Sequence, residues 1–411
     1  MLKRLRVSGF KSLQDVDVRL PRMAVLFGTN AAGKSNLLDA IQALSRIGTQ
    51  RTLADALKEP IRGYPIESFH FPTGGLAELL AAKTSQFSIG ADLSSGDHDY
   101  RYNVSVQITP ESGALGVADE FLAALDKQGA PKGQATIELV DGRLRVRRKT
   151  DPGKPRYELL NANYALLSDP RLSAPLYPSI EEARTELSAW RTYYLDPRTA
   201  MRSAQAPADV RDIGVLGGDI ASFLYRLNAE SPKHFQAITR TLRAIIPGVE
   251  SLVVDLDKRR GTLDILVRQG GIDYSSRIVS EGTLRVLALC AITVNPWSGS
   301  LLAFEEPENG VHPRRIELIA KLLLSLALEH KRQVVVTTHS PLFCDAILRG
   351  AGQRAEDVGL FHVRRIGQAT AVLPFEGIGP LFQNGEITKA LTNGSEDGLF
   401  QSLLMRGLLG D

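Results

Sequence analysis

The run Gly28-Thr29-Asn30-Ala31-Ala32-Gly33-Lys34-Ser35, placed directly after the apolar stretch Met23-Ala24-Val25-Leu26-Phe27, constrains this chain more than any other feature. It spells G-x-x-x-x-G-K-S in the order strand, glycine-rich loop, helix, which a phosphate-binding loop requires. The glycines let successive backbone N–H groups turn inward around an anion. The helix opening near Gly33 aims the positive end of its dipole at the same point. Leu37, Leu38, Ala40, Ile41 and Leu44 follow at helical spacing and predict a helix to about Arg46. The loop from Gly28 through Thr29, Asn30, Ala31, Ala32 and Gly33 to Asn36 is then a cradle for a nucleoside triphosphate. In it Lys34 reaches the β- and γ-phosphates and Ser35 ligates Mg²⁺.

The 411 residues are 43% hydrophobic and 23% charged, an ordinary soluble composition and too long for one simple core. A formal net charge of +3 makes no global demand for nucleic acid. Cys290 and Cys344 each lie in an apolar stretch without metal-ligand spacing, which predicts buried thiols in a reducing cytosol. No apolar stretch reaches the roughly 20 residues of a membrane span, and the start lacks a signal-peptide core. The expectation is a cytoplasmic protein with no membrane partner.

An α/β fold in three parts is predicted. Residues 1–165 form a first lobe with N-terminal strands broken at Gly9-Phe10-Lys11-Ser12, the phosphate loop, and an antiparallel sheet whose strands include 87–91, 102–108 and 135–140. Residues 166–250 read as a mainly helical insertion, with helices over 180–190, 220–227 and 235–246. No heptad run persists there, so a coiled-coil arm is not expected. Residues 251–411 form a second lobe: a hairpin of 251–256 and 262–267, then strands 301–304 and 333–337 around a helix over 314–329.

Three later motifs complete the chemistry. Leu301-Leu302-Ala303-Phe304-Glu305-Glu306-Pro307 is an apolar strand ending in two carboxylates. One acid is needed to hold a Mg²⁺ shell and another to orient or deprotonate the attacking water, which assigns Glu305 to the metal and Glu306 to general base catalysis. Val334-Val335-Val336-Thr337-Thr338-His339 is a β-branched strand ending in a histidine able to bond a γ-phosphate. Ser280-Glu281-Gly282-Thr283 opens a helical run and offers a second anion site at a helix N-terminus, or a plain cap.

In this order the motifs resemble the heads of ABC-type ATPases. The wording from Phe304 to Pro313, with Ser280 to Arg285, Thr337 to Pro341 and the opening Val7-Ser8-Gly9-Phe10-Lys11-Ser12-Leu13, is similar to AAA-family ATPases related to OLD, RecF and SMC proteins. The resemblance implies an ABC-type head, with ATP sandwiched in a homodimer between the phosphate loop of one subunit and Ser280 and Gly282 of the other. It also implies a glutamine that senses the metal, for which several candidates, Gln86 and Gln107 among them, are open. Glu305 stands where the wider superfamily has aspartate, as in the OLD-like branch.

No fused Toprim nuclease is expected, since no pair of aspartates spaced by one residue follows His339. A nuclease or effector would then be a separate chain, in phage defence or DNA maintenance. Arg143, Arg145 and Arg147 fall on one face of a strand; the stripe either follows DNA phosphates or, the favoured reading, protects a sheet edge. The stretch of Leu399, Phe400, Leu403, Leu404 and Leu408 is expected to pack on its own lobe more readily than on a partner. A transporter's nucleotide-binding subunit and a non-hydrolysing scaffold are the rival functions.

Overall fold

The computed structural model of the protein describes residues 1–150, 154–375 and 400. Strands β1 (Leu2–Phe10), β2 (Leu13–Arg19) and β3 (Met23–Phe27) lead into helix α1 (Lys34–Ile47), followed by short helices α2 (Leu53–Leu57) and α3 (Gly75–Ala81). Long hairpins come next: β4 (Ser85–Ser95), β5 (His98–Thr109), β6 (Ala114–Ala124), β7 (Ile137–Val140), β8 (Arg143–Val146) and β9 (Arg156–Leu159). Then follow α4 (Pro178–Ser188), β10 (Trp190–Tyr193), α5 (Ile220–Glu230), α6 (Pro232–Ile245), β11 (Val249–Asp257), β12 (Thr262–Gln269) and β13 (Ile272–Ser275). The last group is α7 (Glu281–Val294), β14 (Leu301–Glu305), α8 (Ile316–Leu328), β15 (Gln333–Thr338), α9 (Pro341–Ala351), β16 (Val358–Ile366) and β17 (Ala369–Pro374).

Among the described residues the strands form three sheets: β2-β1-β4-β5-β6-β7-β8-β9, β10-β14-β15-β3-β16-β17 and β11-β12-β13. The second is parallel from β10 through β16, with β17 antiparallel at its edge. Its inner strands are apolar on both faces because both faces are covered. Period-2 alternation divides β3 cleanly: Ala24 and Leu26 join a core with α1, α4 and the antiparallel sheet, while Met23, Val25 and Phe27 join a core with α5 to α9. One short strand therefore serves two cores.

Residues 166–250, expected as a helical insertion, contribute to both. Ile180, Ala183 and Leu187 of α4 pack in the first core, whereas α5 and α6 pack in the second. Trp190, expected at a helix end, instead begins β10 and pairs in parallel with Leu301. Its indole N–H donates to Glu186 Oε1 at 3.1 Å, one turn back. Strand β6 was not foreseen, because its alanines and the pair Asp119-Glu120 blur the alternation.

The arginine stripe does not sit on an edge: β8 lies between β7 and β9, and β9 takes the edge. Arg145 Nη2 lies 2.6 Å from Glu138 Oε1, and Arg147 donates to the same oxygen. Burial opposes ionisation of Glu138, but these hydrogen bonds outweigh it and hold its carboxyl below the usual range. Both arginines thus serve a cross-strand ion cluster. Both cysteines are buried free thiols, Cys290 pushed up to about 12 by burial and Cys344 also pushed well up by burial. Of the C-terminal leucine-rich stretch only Phe400 lies within the described residues. It is buried edge-on against Phe27, its N–H donating to Asp345 Oδ1 at 2.9 Å.

Glu120 is fully buried in β6, and its oxygens accept the N–H groups of Leu166 and Leu167 at 2.6 and 2.8 Å and the Tyr102 hydroxyl at 3.1 Å. Burial pushes its carboxyl up from 4.5 to about 7. The native state therefore keeps a proton that the unfolded chain has lost, so stability falls as pH rises from about 4.5 to 7 and then levels. Urea titrations across pH 5–8 should show this decline in the wild type and not in Glu120→Gln.

Candidate functional site

Two glycines let the phosphate loop fit under the sheet. A Cβ on Gly28 would stand 2.1 Å from the Val363 carbonyl oxygen, and one on Gly33 would stand 2.1 Å from Thr370 Oγ1. Gly33 also has φ +102°, a region side chains rarely adopt. The loop is braced from below by hydroxyls: Thr370 Oγ1 donates to the Ala32 carbonyl at 2.9 Å, and Ser12 Oγ lies 2.7 Å from both Thr370 Oγ1 and Asn36 Nδ2. Ser12 was legible only as part of an opening motif. Thr370 carried no signal, because its role depends on β17 lying beneath the loop.

Lys34 is buried, and its ammonium donates to the Gly28 and Thr29 carbonyls at 2.8 Å each. Burial pulls its ionisation down, partly opposed by Glu306, Glu308 and Glu305. The loop opens on a cavity of about 440 Å³ lined by Asn30, Ala31, Gly33, Lys34, Ser35, Asn36, Arg62 and Glu306. A neighbouring cavity of about 550 Å³ shares Asn36 and Arg62 and adds Lys11, Phe69, His70, Phe71 and Arg365. This is the size range of small-molecule pockets.

The acidic motif reaches the first cavity through strand register. Thr338 lies opposite Phe27 and Thr337 opposite Glu305, so β3, β14 and β15 end at one edge. Glu306 then adopts φ +43°, and its N–H donates to the Thr337 carbonyl at 3.0 Å. This left-handed residue breaks the pleat at the strand end, where Glu306 lines the cavity. His339 Nδ1 lies 3.0 Å from Glu306 Oε1. Ser35 and Glu306 line this cavity with hard oxygen donors of the kind Mg²⁺ takes, while Glu305 is not among its lining residues and pairs with Arg62.

Arg62 is a further site residue that sequence reasoning missed. Its Nη1 lies 3.4 Å from Glu305 Oε1, and its Nη2 lies 3.0 Å from Asp39 Oδ2. Asp39, on α1 behind the loop, is fully buried and also receives Lys11 Nζ at 2.6 Å and the Tyr194 hydroxyl at 2.7 Å. A basic residue in a Pro-Gly loop gives no hint of such a partner.

Ser280 and Gly282 lie elsewhere in the protomer. Ser280 Oγ accepts the Thr283 N–H at 3.2 Å and caps α7, and a Cβ on Gly282 would stand 2.5 Å from the Gly310 carbonyl oxygen. Among the described residues neither lines the phosphate-loop cavity. Gln86 and Gln107 pair across β4 and β5 and do not line it either.

Comparison with known proteins follows this geometry. The family model described as "AAA domain, putative AbiEii toxin, Type IV TA system" matches residues 23–345. Among solved structures the chain is similar to an Smc head bound to the C-winged helix domain of ScpA, at 14% identity over 91% of this chain and 97% of that one, with a TM-score of 0.51. It is also similar to an Smc head with an extended coiled coil, bound to the C-terminal domain of ScpA from Pyrococcus furiosus. That match has 12% identity, covers 91% of this chain and 96% of that one, and has a TM-score of 0.51. At such identity the likeness shows the fold. No curated protein matches.

Tyr194→Phe removes one donor from a fully buried carboxylate while keeping the ring. It should cost about 1–3 kcal/mol in urea unfolding. A smaller loss would mean that Lys11 and Arg62 satisfy Asp39 alone.

Proposed function

The chain belongs to this AAA-domain family, and on that premise we propose that it is an ABC-type ATPase that binds and hydrolyses ATP as a head-to-tail homodimer. The contact that carries the reading is Glu306 to His339, 3.0 Å apart at the rim of the cavity that Lys34 and Ser35 line. A general base needs a partner that fixes its orientation and a reacting group within one water's reach. The triphosphate occupies the loop and the nucleoside the adjoining cavity, where Phe69, His70 and Phe71 offer ring faces and edges. Lys34 leaves the Gly28 and Thr29 carbonyls for the β- and γ-phosphate oxygens. Glu306 orients the attacking water, and His339 holds Glu306 and meets the γ-phosphate. Ser35 and Glu305 would hold Mg²⁺, which supplies charge neutralisation on the phosphates when bound.

Ser280 and Gly282 act on the partner's nucleotide. Their position outside the cavity of their own chain supports this, since a helix N-terminus can also bind an anion. ATP then joins two subunits and hydrolysis separates them. The Smc heads named above are bound to ScpA domains; by analogy this dimer controls a separate nuclease or effector chain, directed at DNA in phage defence or DNA maintenance in the cytoplasm. Among the described residues no helix is long and apolar enough to cross a membrane.

Turnover and solution mass should be measured together with ATP and Mg²⁺. Glu306→Gln should lower kcat by about 100-fold or more while retaining ATP and shifting the mass to a dimer. Lys34→Ala should abolish both binding and dimer, and Ser280→Arg should bind ATP as a monomer. Equal, negligible turnover in wild type and Glu306→Gln would leave a scaffold in place of an enzyme.

A further inference from the structure

Glu308, three residues beyond Glu305, is only 4% exposed yet carries a carboxyl group. Oε1 accepts the Thr338 hydroxyl, and Oε2 is buried with no partner among the described residues. Thr338 immediately precedes His339. Its Oγ1 also accepts the Ser340 N–H at 2.9 Å, so one hydroxyl bridges the turn that projects His339. Because that hydroxyl has a single proton, an acceptor at Glu308 leaves its lone pairs free for Ser340. On the other side, the Asn309 N–H donates to the Glu306 carbonyl at 3.0 Å and the Val311 N–H to the Glu308 carbonyl at 3.1 Å, a tight turn that ties Glu308 to Glu306.

We infer that Glu308 is a positioning residue that sets the reach between Glu306 and His339 by joining the loop of the first to the turn of the second. The inference rests on the ATPase reading of the site. It explains why a polar side chain stands where an apolar one would pack more cheaply. Burial pushes the Glu308 carboxyl up, and the nearby Glu306 adds to this. The Thr338 hydroxyl needs only an acceptor oxygen, so the tie does not require a charge. A glutamine has the same acceptor in the same place.

Three variants test this: Glu308→Ala, Thr338→Val and Glu308→Gln. Misplacing a catalytic pair without touching substrate lowers turnover, so kcat should fall about 10- to 100-fold in the first two while KM for ATP stays within about 3-fold. Glu308→Gln should restore most of the loss. The ring ¹⁵N shifts of His339, assigned against His339→Gln, report the Glu306 contact; they should move in Glu308→Ala and Thr338→Val and stay in place in Glu308→Gln. Unchanged kcat in a Glu308→Ala protein that melts like wild type would overturn the inference, as would a loss of kcat matching only the loss of folded protein. If the wild type hydrolyses no ATP, the ATPase reading fails separately. The ¹⁵N shifts then decide alone, and no movement in Glu308→Ala overturns the positioning role.

Discussion

The in-register parallel pairing of β3, β15 and β14 is the interaction on which the site depends. Side chains alternate along a strand, so a slip of one residue would turn every inward group outward. With Thr338 opposite Phe27 and Thr337 opposite Glu305, three chain segments end together and release their polar residues at one edge. The alternation that builds this register also divides each strand between the two cores. Burial of Ala24 and Leu26 on one face and Val25 and Phe27 on the other therefore secures the edge that carries the candidate site.

Charge around the loop is handled by pairing rather than exposure. Asp39 is fully buried, but Lys11, Arg62 and Tyr194 reach it from three separate parts of the chain. A buried carboxylate is tolerated only with such partners. The same group anchors Arg62, which extends to Glu305. Helix α1 and the acidic strand end are thus joined through one ionic chain. Lys34 is satisfied by the Gly28 and Thr29 carbonyls of the loop.

Much of the site was legible because its chemistry is local. The phosphate loop, the Glu305-Glu306 strand end and the His339 strand end are each contiguous runs whose spacing carries the function, and the fold brings all three together. The basic stripe shows the limit of such reading. Its period-2 alternation was correct for β8, but which strand lies at the edge is a matter of sheet order, and Glu138 on β7 takes two of the three arginines. Arg62 and Thr370 stayed hidden for the same reason, since their partners are distant in sequence.

By itself, the sequence determined the class of fold, the phosphate loop and the identity of the acids and histidine, because backbone turns, strand periodicity and ionisable groups are properties of short segments. Only the tertiary structure decided how Glu306 faces His339, that Asp39 gathers Lys11, Arg62 and Tyr194, and that Ser280 and Gly282 lie outside their own cavity. Those facts depend on sheet register and on the packing of remote elements, and no local pattern encodes which distant group will satisfy a buried charge.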